Sequence, residues 1–331
     1  MSSRGRRLLK FLVPLGLAIG LTGGITYGAF FATTSNSGNF LMADPDWTPP
    51  SASGSVIMRD GGNVPGYIRP GGQYYVYAAV TDSGNPPSGV ASVTADVSNI
   101  TSGQTAAALT AGSWTVAGVA YNYRSALLRG DGGLTPGGKT YSLTMTDGRS
   151  NSATQGGFVV TVDNTRPSAA DIQTANYGFV AGHAETNDTI TFTFSETMDP
   201  YTVMDGWDGS ATTVTVRLVN GFLGFANDAV QVYAPGGARL NLEVNQGLIQ
   251  GVNLGNSGYT TGTVNFTGST MVQNGASIVI TLGIPDQPTR LQTVTTTGTM
   301  RWRPSTAALD LAGNACQNPT VNESGAADVE F

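Results

Sequence analysis

From Trp47 onward the apolar residues of this chain recur at every second position, a spacing that admits strands and excludes amphipathic helices. In GVASVTADVS, Ala91, Val93, Ala95 and Val97 alternate with Ser92, Thr94, Asp96 and Ser98, so one face is apolar and the other wet. The alternation returns in Tyr141, Leu143 and Met145, in Phe158, Val160 and Val162, and in Ile190, Phe192 and Phe194. It returns again in Val214, Val216 and Leu218, in Leu240, Leu242 and Val244, and in Ile278, Ile280 and Leu282. These runs are short and bounded by Gly, Asn, Asp and Pro, which predicts an all-β chain of sandwich type.

A break divides the pattern. Val162 ends one alternating run, and in TVDNTRPSAAD the ring of Pro167 removes an N–H and holds Arg166 extended, which stops a ladder. The sequence therefore predicts two tandem Ig-like β-sandwiches, over 47–165 and 166–331. The halves echo one another. YYVYAAVTD, ending at Asp82, corresponds to TITFTFSE, ending at Glu196; Asp147 and Asn151 of DGRSN correspond to Asp310 and Asn314 of DLAGN. Between these markers the second half is longer by about 50 residues, an insertion near 220–275 that is expected to form extra hairpins or long loops.

Ahead of the strands the chemistry differs. Arg4, Arg6, Arg7 and Lys10 precede 22 uncharged residues from Phe11 to Ala32, built like a secretory signal and long enough for a membrane-spanning helix. A signal peptide over 1–28, cleaved between Gly28 and Ala29, is expected, with an uncleaved anchor helix as the alternative. Residues 29–46 then form an extended segment. Either outcome places the rest of the chain outside the plasma membrane, secreted or on the cell surface.

The run GGITYGAFFATTSNSGNFLMAD resembles the signal-peptide junction of secreted biofilm-matrix proteins of the TasA/camelysin type. That resemblance covers about the first 45 residues and implies export, and with it a new N-terminal strand that can be donated to a neighbouring subunit. A second resemblance is carried by VTVDNTRPS, NDTITFTFSETMDPYTV and LDLAGN, which are similar to the bacterial Ig-like modules of surface and S-layer-associated adhesins. It covers 160–331 closely and 50–165 more loosely, because DGRSN departs from the closing motif. It implies the fold far more than any ligand.

Charge and residue inventory narrow the function classes. Four of the 16 Lys and Arg lie in the signal, so the mature chain carries a formal charge of about −10, which disfavours nucleic acid or an anionic membrane surface as partner. Membrane contact is expected only through the N-terminal helix. Cys316 stands alone and cannot form an internal disulfide; it reads as a small residue of a partly buried loop. His183, the sole histidine, reads as an exposed loop residue, and without a second His or a nearby Cys the common zinc and nucleophile pairs lack candidates. No cofactor is expected unless it is Ca²⁺. The oxygen-rich stretch FSETMDPYTVMDGWDG offers Glu196, Asp199, Asp205 and Asp208 as ligands, with Asp310 and Asn314 from the closing loop, although the spacing matches no EF-hand. Asp199 before Pro200 equally reads as the start of a turn. Tyr75 and Tyr77 share one face of a strand with Tyr74 opposite, and Tyr121 with Tyr123 form another same-face pair; Trp114, Trp207 and Trp302 read as core or corner residues.

Together these readings predict an exported, non-catalytic structural or adhesive surface protein, with other surface or matrix proteins, or glycans, as partners. Two alternatives share the sequence. One is a fibre subunit that self-associates by donating Phe30 to Met42 to a neighbour, and the other is a carbohydrate-binding accessory protein that uses the 220–275 loops.

Overall fold

Ile57, Tyr74, Val76, Ala78, Val93, Ala95, Leu143, Met145 and Val160 are all buried in one apolar cluster. They sit on alternating strands, whose two-residue period sends every second side chain to the same side of a sheet. The structure is a computed structural model that describes residues 45–221, 226–241 and 245–331. The expected signal helix, its Gly28–Ala29 junction and nearly all of the 29–46 segment lie outside the described residues. Residues 46–331 form one compact unit.

Within that unit the strands make two sheets. The first has nine strands in the order β1-β3-β6-β5-β4-β8-β9-β2, with β7 also paired to β3. They are β1 (Ser51–Arg59), β2 (Tyr67–Ile68), β3 (Gln73–Thr81), β4 (Val90–Asp96), β5 (Ala107–Val116), β6 (Val119–Ser125), β7 (Leu128–Arg129), β8 (Gly137–Asp147) and β9 (Ser152–Val162). The second has ten, in the order β10-β11-β16-β15-β12-β13-β14-β18-β19, with β17 paired to β15. These are β10 (Ala169–Ala175), β11 (Thr189–Phe194), β12 (Thr212–Val219), β13 (Ala229–Tyr233), β14 (Ile249–Asn253), β15 (Val264–Asn274), β16 (Ser277–Thr281), β17 (Ile284–Pro285), β18 (Arg301–Pro304) and β19 (Val321–Asn322). The break at Asp163 to Ser168 falls between them. One helix of four residues, α1 (Pro200–Val203), follows β11; Asp199 caps it by accepting from Tyr201 N at 3.1 Å, and Pro200 starts it at no hydrogen-bond cost.

Both sheets curl until their ends meet, because an open edge would leave backbone donors and acceptors unpaired. In the first, Gly66 N donates to Ile57 O of β1 while Thr161 N of β9 donates to Gly66 O, so the loop before β2 joins the two edges. In the second, Asp171 of β10 accepts from Ser324 N and Oγ at 2.8 and 2.9 Å, just beyond β19. Each curled sheet surrounds its own core. Trp302 anchors the second, fully buried with its ring edge-on to Phe192 and Phe194 at 5.1 and 4.9 Å. Removing so large a side chain from water stabilises by about 1.5–3 kcal/mol or more.

Four local features bear on the sequence reading. The 220–275 stretch, expected to form extra hairpins or long loops, supplies β13, β14 and β15; β13 and β15 pair with β12, and β14 with β13, inside the sheet path. Leu240 is buried in the core, while positions 242–244 of its expected strand lie outside the described residues. Tyr121 and Tyr123 do not share a face. The side-chain amide of Asn122 takes both ladder bonds of Val80, accepting from its N at 2.8 Å and donating to its O at 2.7 Å, and the strand changes phase there. Tyr121 therefore joins Tyr75, Tyr77 and Trp114 in an outer cluster, whereas Tyr123 packs against the inner core with Tyr74. Arg124 lies over the rings of Tyr75 and Trp114 at 4.6 and 4.9 Å, covering that outer cluster.

His183 is half-buried and not exposed, and its Nδ1 is enclosed without a hydrogen-bond partner. Cys316 lies in the partly buried loop between β18 and β19, and its own side chain is fully buried in the core of the second sheet. Burial pushes its thiol up to about 12, with Arg166 opposing the rise and Glu196 adding to it. The thiolate is the reactive form, so Cys316 is expected to resist a thiol-specific disulfide reagent at pH 8 in the native protein and to react fully in denaturant. Labelling of the native protein at the rate of a free thiol would contradict this burial.

Candidate functional site

Each half is closed by the same device. A carboxylate and an asparagine four residues later turn back on themselves and grip the chain that leads into that half. In the second half, Asp310 Oδ1 accepts from Asn314 N at 2.7 Å and Asp310 Oδ2 from Asn314 Nδ2 at 2.8 Å. The same Nδ2 donates to the backbone oxygen of Asp163 at 3.1 Å, in the linker between the sheets. In the first half, Asp147 Oδ1 accepts from Arg149 N and Asn151 N, both at 2.8 Å, and Asp147 Oδ2 from Asn151 Nδ2 at 2.6 Å. Asn151 Nδ2 then donates to Asp46 O at 2.7 Å. A charged acceptor makes each such bond stronger than one between neutral groups.

Around each clasp three carboxylates converge. Asp46, Asp82 and Asp147 form one cluster and Asp163, Glu196 and Asp310 the other, each with one oxygen per residue within 4.8 Å of the rest. The members correspond in chain order. The first precedes the sheet, the second follows β3 or β11, and the third starts the closing turn.

Their electrostatics differ. Asp46 is held below the usual carboxylate range by the N–H of Thr48, despite burial, and by the N–H and hydroxyl of Ser88. Burial works against the charge of Asp147, but Asn151 and Arg149 outweigh it and hold that carboxyl low as well. Asp82 accepts from Gly84 N and Gly89 N. Glu196 has no comparable help: its Oε1 is enclosed without a partner. Burial, and then the charges of Asp310 and Asp163, push its carboxyl up to about 7. Burial also raises Asp310, against the pull of Asn314.

Of the residues singled out for Ca²⁺, the structure brings together Glu196 and Asp310, with Asn314 bonded to Asp310, and adds Asp163. Asp199 goes elsewhere. It is fully buried and paired with Arg59 at the end of β1, so this ion pair joins the two sheets. Burial raises the Asp199 carboxyl although Arg59 opposes it. The arginine stem passes Gly62 and Gly313; a Cβ at Gly62 would stand 2.6 Å from Arg59 Cγ, and Gly313 has a φ of 92° that side chains disfavour. Asp208 accepts from Ser210 N and Oγ in an Asx turn, and Asp205 faces the Tyr201 hydroxyl. Both border a hollow of about 500 Å³ that also includes Trp207 and Gln246. An oxygen-only donor set such as Asp163, Glu196 and Asp310 suits a hard cation better than zinc or copper. The sequence reading singles out neither Asp46 nor Asp163 as a site residue; its repeat markers are Asp82 with Glu196 and the two closing motifs.

Arg59→Ala leaves Asp199 buried without its counter-charge and is expected to destabilise the protein by about 3–5 kcal/mol in urea melts, while Arg59→Met with Asp199→Leu recovers most of that loss. Equal stability of wild type and Arg59→Ala would refute a buried strut. Because the folded carboxyl of Glu196 titrates near 7 and the unfolded one near 4.5, its share of stability is complete below about pH 4.5 and is lost as pH rises through about 7. Thermal melts in chelator between pH 4.5 and 8 are expected to fall less steeply in Glu196→Gln than in wild type.

No protein-family model matches the chain, and no curated protein matches it. Among solved structures it is similar to the C-terminal domain of the Streptococcus agalactiae AgI/II polypeptide BspA, at 12% identity over 83% of this chain and 98% of that one, with a TM-score of 0.18. A second structure, BspA_C_WT, aligns at 10% identity over 82% of this chain and 97% of that one, with a TM-score of 0.17. Scores this low assign neither a shared fold nor a shared role. The biofilm-matrix resemblance draws no support from these comparisons and falls on residues outside those described.

Proposed function

We propose that the chain is an exported, non-catalytic structural or adhesive module of the cell surface, built as two tandem Ig-like sandwiches. The observation that carries this reading is the repeated clasp. Asp147–Asn151 and Asp310–Asn314 each tie the closing turn of a sheet to the residue that leads into it, and the buried Arg59–Asp199 pair joins the sheets. These polar groups are spent on one another and on backbone, which serves a fixed scaffold and leaves them turned away from a substrate. The export signal read in residues 1–28 supports a place outside the plasma membrane.

A contact element accompanies the scaffold. The loop at Tyr177 to Val180 holds Phe179 fully exposed and Tyr177 at 71% exposure. It is not a loose tip: Asp188 accepts from Tyr177 N and Gly178 N, and Glu185 accepts from Phe179 N and Val180 N. Holding aromatic rings in water costs free energy that burial against another surface returns.

Cell fractionation with mass spectrometry of the N-terminus is expected to find the chain outside the plasma membrane, beginning near Ala29 if the signal is cleaved. Recovery in the cytoplasm alone would overturn the proposal. On beads coated with the purified chain, Tyr177→Ser with Phe179→Ser is expected to reduce capture of the producing cells several-fold with no change in melting temperature. Undiminished capture would remove this loop as the contact element.

A further inference from the structure

The ten-stranded sheet closes where β10 meets the segment beyond β19, and a third carboxylate cluster lies at that seam. Glu323, Asp328 and Glu330 each place an oxygen within 4.8 Å of the others. Glu330 is 1% exposed, and one of its oxygens, Oε1, is enclosed with no hydrogen-bond partner. Among the described residues, the ion pair within 4.0 Å is Arg59 with Asp199, so no Lys or Arg neutralises these three acids. A buried carboxylate oxygen that faces two other acids with neither donor nor cation is costly, and a bound cation removes that cost.

The remaining oxygens are positioned like those of a built site. Glu323 Oε1 accepts from Met300 N at 2.8 Å, and Glu330 Oε2 accepts from the Thr174 hydroxyl of β10 at 2.7 Å. The backbone is pinned too: Glu330 N donates to the Tyr259 hydroxyl at 2.9 Å, Glu323 N to Met300 O, and Gly298 N to Asp328 O. Such outer bonds orient carboxylates toward a metal. Asp328 is exposed, which gives an ion a path from solvent.

We propose that Glu323, Asp328 and Glu330 form a Ca²⁺ site that bolts the first strand of the ten-stranded sheet to its last. The donors are hard oxygens, with no thiol or imidazole among them, and three formal negative charges suit a divalent ion that accepts six to eight oxygens. Thr174 on β10 and Glu323 after β19 are then held through one ion. This site is separate from the Asp163, Glu196 and Asp310 cluster.

The test uses the full chain after chelation, with Ca²⁺ followed by thermal melting and Tb³⁺ as a luminescent substitute excited through Tyr259. Ca²⁺ at about ten times its dissociation constant is expected to raise the melting temperature by about 2–4 °C. Glu330→Gln and Asp328→Asn are expected to weaken the response and the Tb³⁺ emission at least about tenfold, while Asp96→Asn, at an exposed carboxylate outside all three clusters, retains both. Asp328 is on the surface, so its variant keeps the test valid should Glu330→Gln fold poorly. Three results would overturn the proposal: no response of the wild type at about 10 mM Ca²⁺, an undiminished response in Asp328→Asn, or a response lost only in Glu196→Gln.

Discussion

Buried carboxylates that accept hydrogen bonds from backbone N–H groups hold the loops of this molecule, and the rest of the fold depends on them. Asp228, fully buried, accepts from Gly221 N, Gly258 N, Tyr259 N and Thr260 N, gathering two loops 30 residues or more apart in sequence. Asp188, also fully buried, accepts from Tyr177 N, Gly178 N and Glu185 N. Hydrogen bonds to a charged group contribute about 1.5–3 kcal/mol each, enough to order a loop that has no disulfide to hold it. The only cysteine is in the core.

Much of this was legible in the residue order. The two-residue period located strands such as Thr189–Phe194 and Ser277–Thr281, because a half-buried strand must alternate to bury one face. DGRSN and DLAGN marked both closing turns, since a carboxylate and an amide four residues apart satisfy each other locally. What stayed hidden is what the chain brings together from afar. Arg59 and Asp199 are 140 residues apart, and no local pattern announces their pairing. The phase change at Asn122 escaped for a related reason: a side-chain amide there substitutes for backbone, and alternation counts only residues. The Gly and Asn content of the 220–275 stretch left hairpins and long loops both open, and only the cross-strand pairing of β12 with β13 and β15 decides between them.

The two clasps share a geometry and differ in chemistry at one position. Asp82 is short enough for its carboxylate to reach the N–H groups of Gly84 and Gly89. Its counterpart Glu196 is one methylene longer and carries an oxygen past any such donor into an enclosed position beside two other acids. The first cluster is therefore satisfied by its own backbone, whereas the second holds repulsion that only a proton or a cation relieves. Even so, the bond from each asparagine to the chain ahead of its sheet is the same in both halves.

The clasp bonds end on main-chain oxygens, those of Asp46 and Asp163, and not on side chains. The linker at Asp163 is thus fastened by Asn314 to a turn 151 residues further on, in the loop between β18 and β19, as well as by the start of β10 that follows it. Two stretches distant in sequence share the anchoring of one junction.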